Sequence, residues 1–110
     1  MFDPLDFFKL AKELAVGDEA SIRTSIGRAY YASFLITRDK LELELKIPEV
    51  HQKVVEILYK KYPSAANNLH QLRRLRNLSD YDTKAILKHT DSKRALKLAS
   101  VVIEKVSGGL

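Results

Sequence analysis

The 110-residue chain contains no cysteine and no tryptophan, one methionine, three prolines and four glycines. Without cysteine there is no disulfide framework, no thiolate nucleophile and no cysteine metal centre. Two of the four glycines sit in the terminal "SGGL", so few breaks interrupt the interior. No apolar run approaches the roughly 20 residues that span a bilayer, and "MFDPLDFFKL" lacks the basic start and long apolar stretch of a secretory leader. The expectation is a cytoplasmic chain with no membrane association. Apolar residues make up 45% and charged residues 30%, which also excludes a disordered polyampholyte.

Charge is present in excess of one sign, and unevenly. The net charge is +5. Residues 1–55 carry eight Lys/Arg against nine Asp/Glu, and residues 56–110 eleven against five, so the second half alone is +6. A basic half suits a polyanion or an acidic protein, although a solvated helical surface accounts for the charge equally well.

Helix starts and stops are frequent and strand signals scarce. Asp3 and Pro4 open a first helix that Gly17 closes near Val16. Asp18 caps a second, longer one running to about Lys46, with Ile22, Ile26, Ala29, Ser33 and Ile36 on one stripe. The alternating "LELEL" at 41–45 has strand periodicity but helix-forming residues, and is read as this helix's frayed end. Pro48 opens a third helix that stops before Pro63. A fourth begins at Ser64 or Ala65 and runs through "NNLHQLRRLRNLSDY". Thr90 or Asp91 caps a fifth, whose buried stripe is Ala95, Leu98, Ala99, Val102, Ile103 and Val106. The expected architecture is one all-α domain over 1–110, an up-and-down bundle of about five helices, with a disordered tail from about residue 107. The second helix has apolar residues on several sides. Arg28, Tyr31 and Leu35 lie off its main stripe, and a second copy of the chain covering them is the favoured reading, a homodimer.

The fourth helix carries the densest chemistry, "LRRLRNLSDYD". Ala65, Leu69, Leu72, Arg76 and Asp80 share a stripe, and His70, Arg74, Asn77 and Tyr81 the adjacent one. Arg76 thus falls where the helix should meet its core, four residues from a carboxylate. Two readings stay open: a core ion pair that fixes helix register, or an arginine at a cleft mouth able to grip a phosphate. The histidines His51, His70 and His89 form no pair at metal-ligand spacing, so no metal or cofactor is expected. His51 reads as a capping or packing residue, His70 as a candidate base on the Arg74/Asn77/Tyr81 face, and His89 as a solvated loop residue. Tyr30, Tyr31 and Phe34 read as packing.

"SIGRAYYASF" at 25–34, His51, and "LRRLRNLSDYD" followed by a last amphipathic helix resemble the HEPN domains of archaea and bacteria. The resemblance extends from about Pro4 to Val106. It implies a dimerising helical bundle, often paired with a small nucleotidyltransferase in a toxin–antitoxin system. It also implies, for many members, a metal-independent endoribonuclease site built on an arginine, a polar residue and a histidine. Arg76 and Asn77 match the first two; the histidine position holds Tyr81, and no window from Arg73, Arg74 or Arg76 ends on histidine. Tyrosine, with an ordinary pKa near 10, is a poor base at neutral pH. In a subgroup whose motif tyrosine is modified by the partner, the corresponding position here is Thr83. The resulting expectation is a binding module, with Arg73, Arg74, Arg76, His70 and His51 toward RNA or nucleotide phosphate, or toward a nucleotidyltransferase antitoxin. The alternatives are an endoribonuclease using Arg76, Asn77 and Tyr81, and a structural dimerisation module.

Overall fold

The computed structural model describes residues 2–43 and 50–108. Five α-helices account for most of them, and no strand occurs among the described residues: α1 (Leu5–Leu14), α2 (Glu19–Lys40), α3 (Val50–Lys61), α4 (Pro63–Tyr81) and α5 (His89–Val106). Their ends follow from local chemistry. Leu5 begins α1 with its N–H donating to Asp3 Oδ1 at 3.0 Å, so Asp3 does cap, with Pro4 as the boundary residue. Asp18 caps α2 by accepting from the Ser21 N–H at 2.9 Å, and that bond holds its carboxyl below the usual range. Pro63 occupies the first turn of α4, with only Tyr62 between it and the end of α3, where a missing N–H costs nothing.

Several expected boundaries shift: α1 ends at Leu14 rather than near Val16, and α4 begins at Pro63 rather than Ser64 or Ala65. The second helix stops at Lys40 rather than near Lys46. Leu43 N–H donates to Arg38 O and Glu42 N–H to Asp39 O, a Schellman closure with Glu42 in the left-handed region at φ 57°. Helix propensity in "LELEL" does not outweigh that closure, and residues 44–46 lie outside the described residues, as does Pro48. α5 starts at His89, earlier than Thr90 or Asp91. Asp91 instead reaches back to accept the Lys88 N–H at 2.8 Å, and His89, exposed as expected, is helical rather than in a loop, its Nε2 3.0 Å from Gly17 O. Ser107 and Gly108, placed by expectation in a free tail, close α5: the N–H of Gly108 donates to Lys105 O with φ 67°.

α2 lies at the centre, packed against α1, α4 and α5 and touching α3, which leans mainly on α4. Ile22, Ile26, Ala29, Tyr30 and Phe34 of α2 meet Ala11, Leu58, Leu69, Leu72, Ala95, Ala99 and Val102 in one core. Most of the apolar surface of α2 is therefore met within the chain, with Tyr31 and Leu35 left half-buried. The end of α1 is stitched down by two buried serines. Ser25 donates to Ala11 O and Ser92 to Ala15 O, both at 2.6 Å, satisfying carbonyls the helix itself leaves open. The radius of gyration is 13.3 Å, against roughly 13 Å for a compact domain of this length.

Candidate functional site

α4 crosses α2 so that its basic segment divides between two faces. Inward, Arg76 packs with its guanidinium carbon 5.5 Å from the Tyr30 ring, 5.2 Å from Tyr31 and 5.9 Å from Tyr81. One terminal nitrogen donates to Tyr31 Oη at 2.7 Å and the other to Asn77 Oδ1 at 3.1 Å. Nε lies 3.0 Å from Asp80 Oδ2. That N–H is not aimed at the oxygen, and Nε is without a well-formed hydrogen bond. The contact is Coulombic. The Arg76 side chain is 17% exposed, so three of its nitrogens are engaged and little of it faces solvent.

Behind Arg76 sits a buried pair. Tyr30 Oη and His51 Nδ1 are 2.5 Å apart, and the imidazole stacks on Phe34 with centroids 5.7 Å apart. His51 heads α3 and is 7% exposed. Burial pushes its pKa down to about 4, helped by the positive charges of Arg73, His70 and Arg76. Burial likewise pushes the Tyr30 phenol up to about 12, with Arg73 and Arg76 acting against it. Both groups are neutral at pH 7. With the phenol as donor to Nδ1, the imidazole proton sits on Nε2, which is buried without a partner among the described residues. Neither group is tuned for proton transfer at neutrality, which needs a pKa near the working pH.

Outward, Arg74, Asn77, Leu78, Tyr81, Asp82, Thr83 and Lys84 line a groove of about 570 Å³. Tyr81 is 73% exposed there. Asp82 is the groove's carboxylate, and its Oδ1 already accepts from the Lys84 and Ala85 N–H groups at 3.0 and 3.1 Å. A second depression, lined by Gln71, Arg74, Leu75, Leu78 and Arg94, shares Arg74 and Leu78 with the first.

The structure thus brings Arg76, Asn77 and Tyr81 together, with Arg73 and His51 behind them; His70 is exposed on α4, its charge acting on His51. Arg74 faces the groove. Of the residues assigned to a dimer contact, Arg28 stacks its guanidinium 4.7 Å from the Phe7 ring, Tyr31 accepts from Arg76, and Leu35 is half-buried beside Phe2, Pro4 and Leu43. Lys84 and Arg23 were not foreseen. Lys84 sits in a loop with no motif, whereas Arg23 follows Glu19 by four residues, the spacing of a helical ion pair, and was legible in principle. No group of three or more His, Asp or Glu side chains that could hold a metal gathers among the described residues. None of the described helices is long and apolar enough to cross a membrane.

No family model matches the sequence, and no solved structure matches the chain. An uncharacterized protein of Methanocaldococcus jannaschii is similar to it, 34% identical over a match covering 77% of this chain and 66% of that protein. The chain therefore spans just under two thirds of that relative's length, and the relative lends no activity to it.

Proposed function

We propose that the chain is a HEPN-like binding domain that takes RNA or a nucleotide by its phosphate in the groove between Arg74 and Lys84. The observation that carries this reading is the groove itself. Two cations flank an exposed tyrosine, and one oxygen of the groove's only carboxylate, Asp82, is already occupied by backbone N–H groups. Arginine and lysine supply charge for a phosphate, and a phenol ring supplies a stacking face for a base. In this reading Arg76 contacts no ligand. It holds Asn77 and Tyr81, the shared wall between the inner network and the groove. The enzyme alternative has less support, because His51 and Tyr30 are shifted away from neutrality in opposite directions.

A fluorescently labelled eight-residue oligouridylate, titrated at 50–200 mM salt without metal, tests the proposal. The Arg74→Ala/Lys84→Ala double variant should bind at least tenfold more weakly. Its log–log salt slope should flatten by about 1.4, at roughly 0.7 per phosphate contact on a single strand. Equal binding by wild type and double variant, or none by either, sinks the phosphate reading. Cleavage by wild type that disappears in Arg76→Ala would instead establish the endoribonuclease. In the absence of RNA binding, co-purification with a nucleotidyltransferase, lost in the double variant, would move the groove to an antitoxin partner.

One observation favours a second reading. Arg76 is engaged at Nε and at both terminal nitrogens by Asp80, Asn77 and Tyr31, as a register lock in a structural module would be. Under that reading Arg76→Ala lowers the melting temperature, and neither wild type nor variant binds RNA.

A further inference from the structure

The groove has a wall made of loop, and one side chain from outside the groove holds it. The segment 82–88 joins α4 to α5 and contributes Asp82, Thr83 and Lys84 to the lining. From the neighbouring helix α2, Arg23 reaches under this segment. Its NH1 donates to Ser79 O and to Asp82 O, both at 2.9 Å, and its NH2 donates to Ala85 O at 2.7 Å. Glu19, one turn before it, lies 3.5 Å from Arg23 NH2, and its Oε2 accepts the Leu87 N–H at 3.1 Å. One ion pair on one helix face thus holds the end of α4 by the carbonyl at 79 and the loop by carbonyls at 82 and 85 and an amide at 87.

We infer that Arg23, with Glu19, is the positioning residue of the groove: it sets where Lys84 stands relative to Arg74 and Tyr81. The inference rests on the phosphate-binding reading of that groove. Three features carry it. First, the Arg23 side chain is only 19% exposed, and it spends its fork on backbone, so it is not itself available to a ligand. Second, its bonds complete what the helix cannot: the last carbonyls of α4 have no intrahelical donors, and a guanidinium there also opposes the negative end of the helix dipole. Third, the chain of support runs directly to Lys84. Arg23 holds the Asp82 carbonyl, and the Asp82 carboxylate receives the N–H groups of Lys84 and Ala85. A short surface loop without such anchoring opens locally at little free-energy cost, and a lysine on it samples many positions. Anchored, it presents its charge to a ligand with less ordering left to do on binding. Lysine cannot substitute for Arg23, because an ammonium is a point donor and cannot bridge three carbonyls set apart along the end of α4 and the loop.

The test uses Arg23→Lys, which keeps the charge and removes the fork, and Glu19→Ala, which releases the Leu87 amide and the ion pair to Arg23 but leaves the three carbonyl bonds of Arg23 in place. Amide hydrogen exchange at Lys84, Ala85 and Leu87, helical circular dichroism, and affinity for the labelled eight-residue oligouridylate are measured on all three proteins. In Arg23→Lys, exchange at Lys84, Ala85 and Leu87 should accelerate at least tenfold while helicity stays unchanged. Affinity should fall about fivefold with the wild-type salt slope retained, since Arg74 and Lys84 still reach the phosphates. A merely structural loss would leave affinity at a temperature well below melting unaltered. In Glu19→Ala, faster exchange should be confined to Leu87. Unchanged exchange in Arg23→Lys, or a loosened loop with undiminished affinity, overturns the inference. Failure of the wild type to bind oligouridylate would remove the ligand reading of the groove. The exchange comparison would then decide only whether Arg23 orders the loop.

Discussion

His51 carries a stability that depends on pH in a definite direction. Its folded pKa of about 4 lies below the ordinary 6.5, so the unfolded chain binds the extra proton between those values. The contribution is therefore whole above pH 6.5 and is lost as pH falls toward 4. By pH 5 the loss should amount to roughly 2 kcal/mol, seen as a lower urea midpoint at pH 5 than at pH 7. His51→Gln should abolish most of that difference; an unchanged midpoint in the wild type between pH 7 and 5 would refute the assignment. Tyr30 works at the other end of the scale. Its phenol, raised to about 12, contributes stability present below pH 10 and lost as pH rises through 12. Arg76 predicts a third measurable cost. Arg76→Ala strands the Tyr31 hydroxyl and leaves Asp80 without its cation, and should destabilise by about 2 kcal/mol. Asp80→Asn should cost less than about 1 kcal/mol, because Asp80 is well hydrated and its bond to Nε is poorly aligned. Equal costs for the two would mean that the ion pair, not the Tyr31 and Asn77 bonds, holds the arginine.

At the scale of elements, two glycine positions and one glutamate give opposed expectations. Gly27 lies in the middle of α2, where a built Cβ meets only Asp80 Oδ1 at 3.9 Å, an ordinary contact. Gly27→Ala should stabilise by about 0.5–1 kcal/mol through helix propensity. Gly17, between α1 and α2, has no such room. A Cβ there would stand 2.7 Å from Ser21 Cβ, an atom fixed to the backbone. Gly17→Ala should cost 1 kcal/mol or more, readable in the same thermal melts. Glu42 occupies the left-handed position of a Schellman closure with a full side chain, so Glu42→Gly should gain up to about 1 kcal/mol. That closure also explains what the sequence could and could not disclose. Asp3 and Asp18 announce their helix starts because capping acts over three or four neighbouring residues, whereas Pro63, read as a stop, is itself the first residue of α4. The stop at Lys40 is invisible in "LELEL", where every residue favours helix and the terminating residue is not glycine. The inner site is partly legible in the same sense. Arg76, Asp80 and Asn77 lie on one helix at recognisable spacing, but Tyr31 is 45 residues away in the chain, and only the crossing of α2 and α4 brings it to Arg76.

For the whole molecule, the enclosure of α2 changes what a second copy could cover. Much of the surplus apolar surface inferred from its pattern is taken up by α1, α4 and α5, while Tyr31 and Leu35 stay half-buried. What is left is the face where the start of α1 meets the end of α2. Phe2 is 55% exposed there, and Phe2, Pro4, Leu35 and Leu43 rim a depression of about 770 Å³ with Arg38, Asp39 and Glu42 at its edge. An apolar centre ringed by charges of both signs is a composition that suits a self-complementary two-fold contact, since each copy's Arg38 can meet the other's acidic side chains. We propose the homodimer on this face. Light scattering on the eluting peak should give twice the chain's 12.5 kDa, with Leu35→Arg returning the single-chain mass. That variant adds a charge at the centre of the contact at a half-buried position, and circular dichroism should show its helicity retained. A wild type of single-chain mass at high micromolar concentration would remove the dimer from the proposal. It would leave the Arg74–Lys84 groove untouched, because every residue that builds that groove and its Arg23 support comes from one chain.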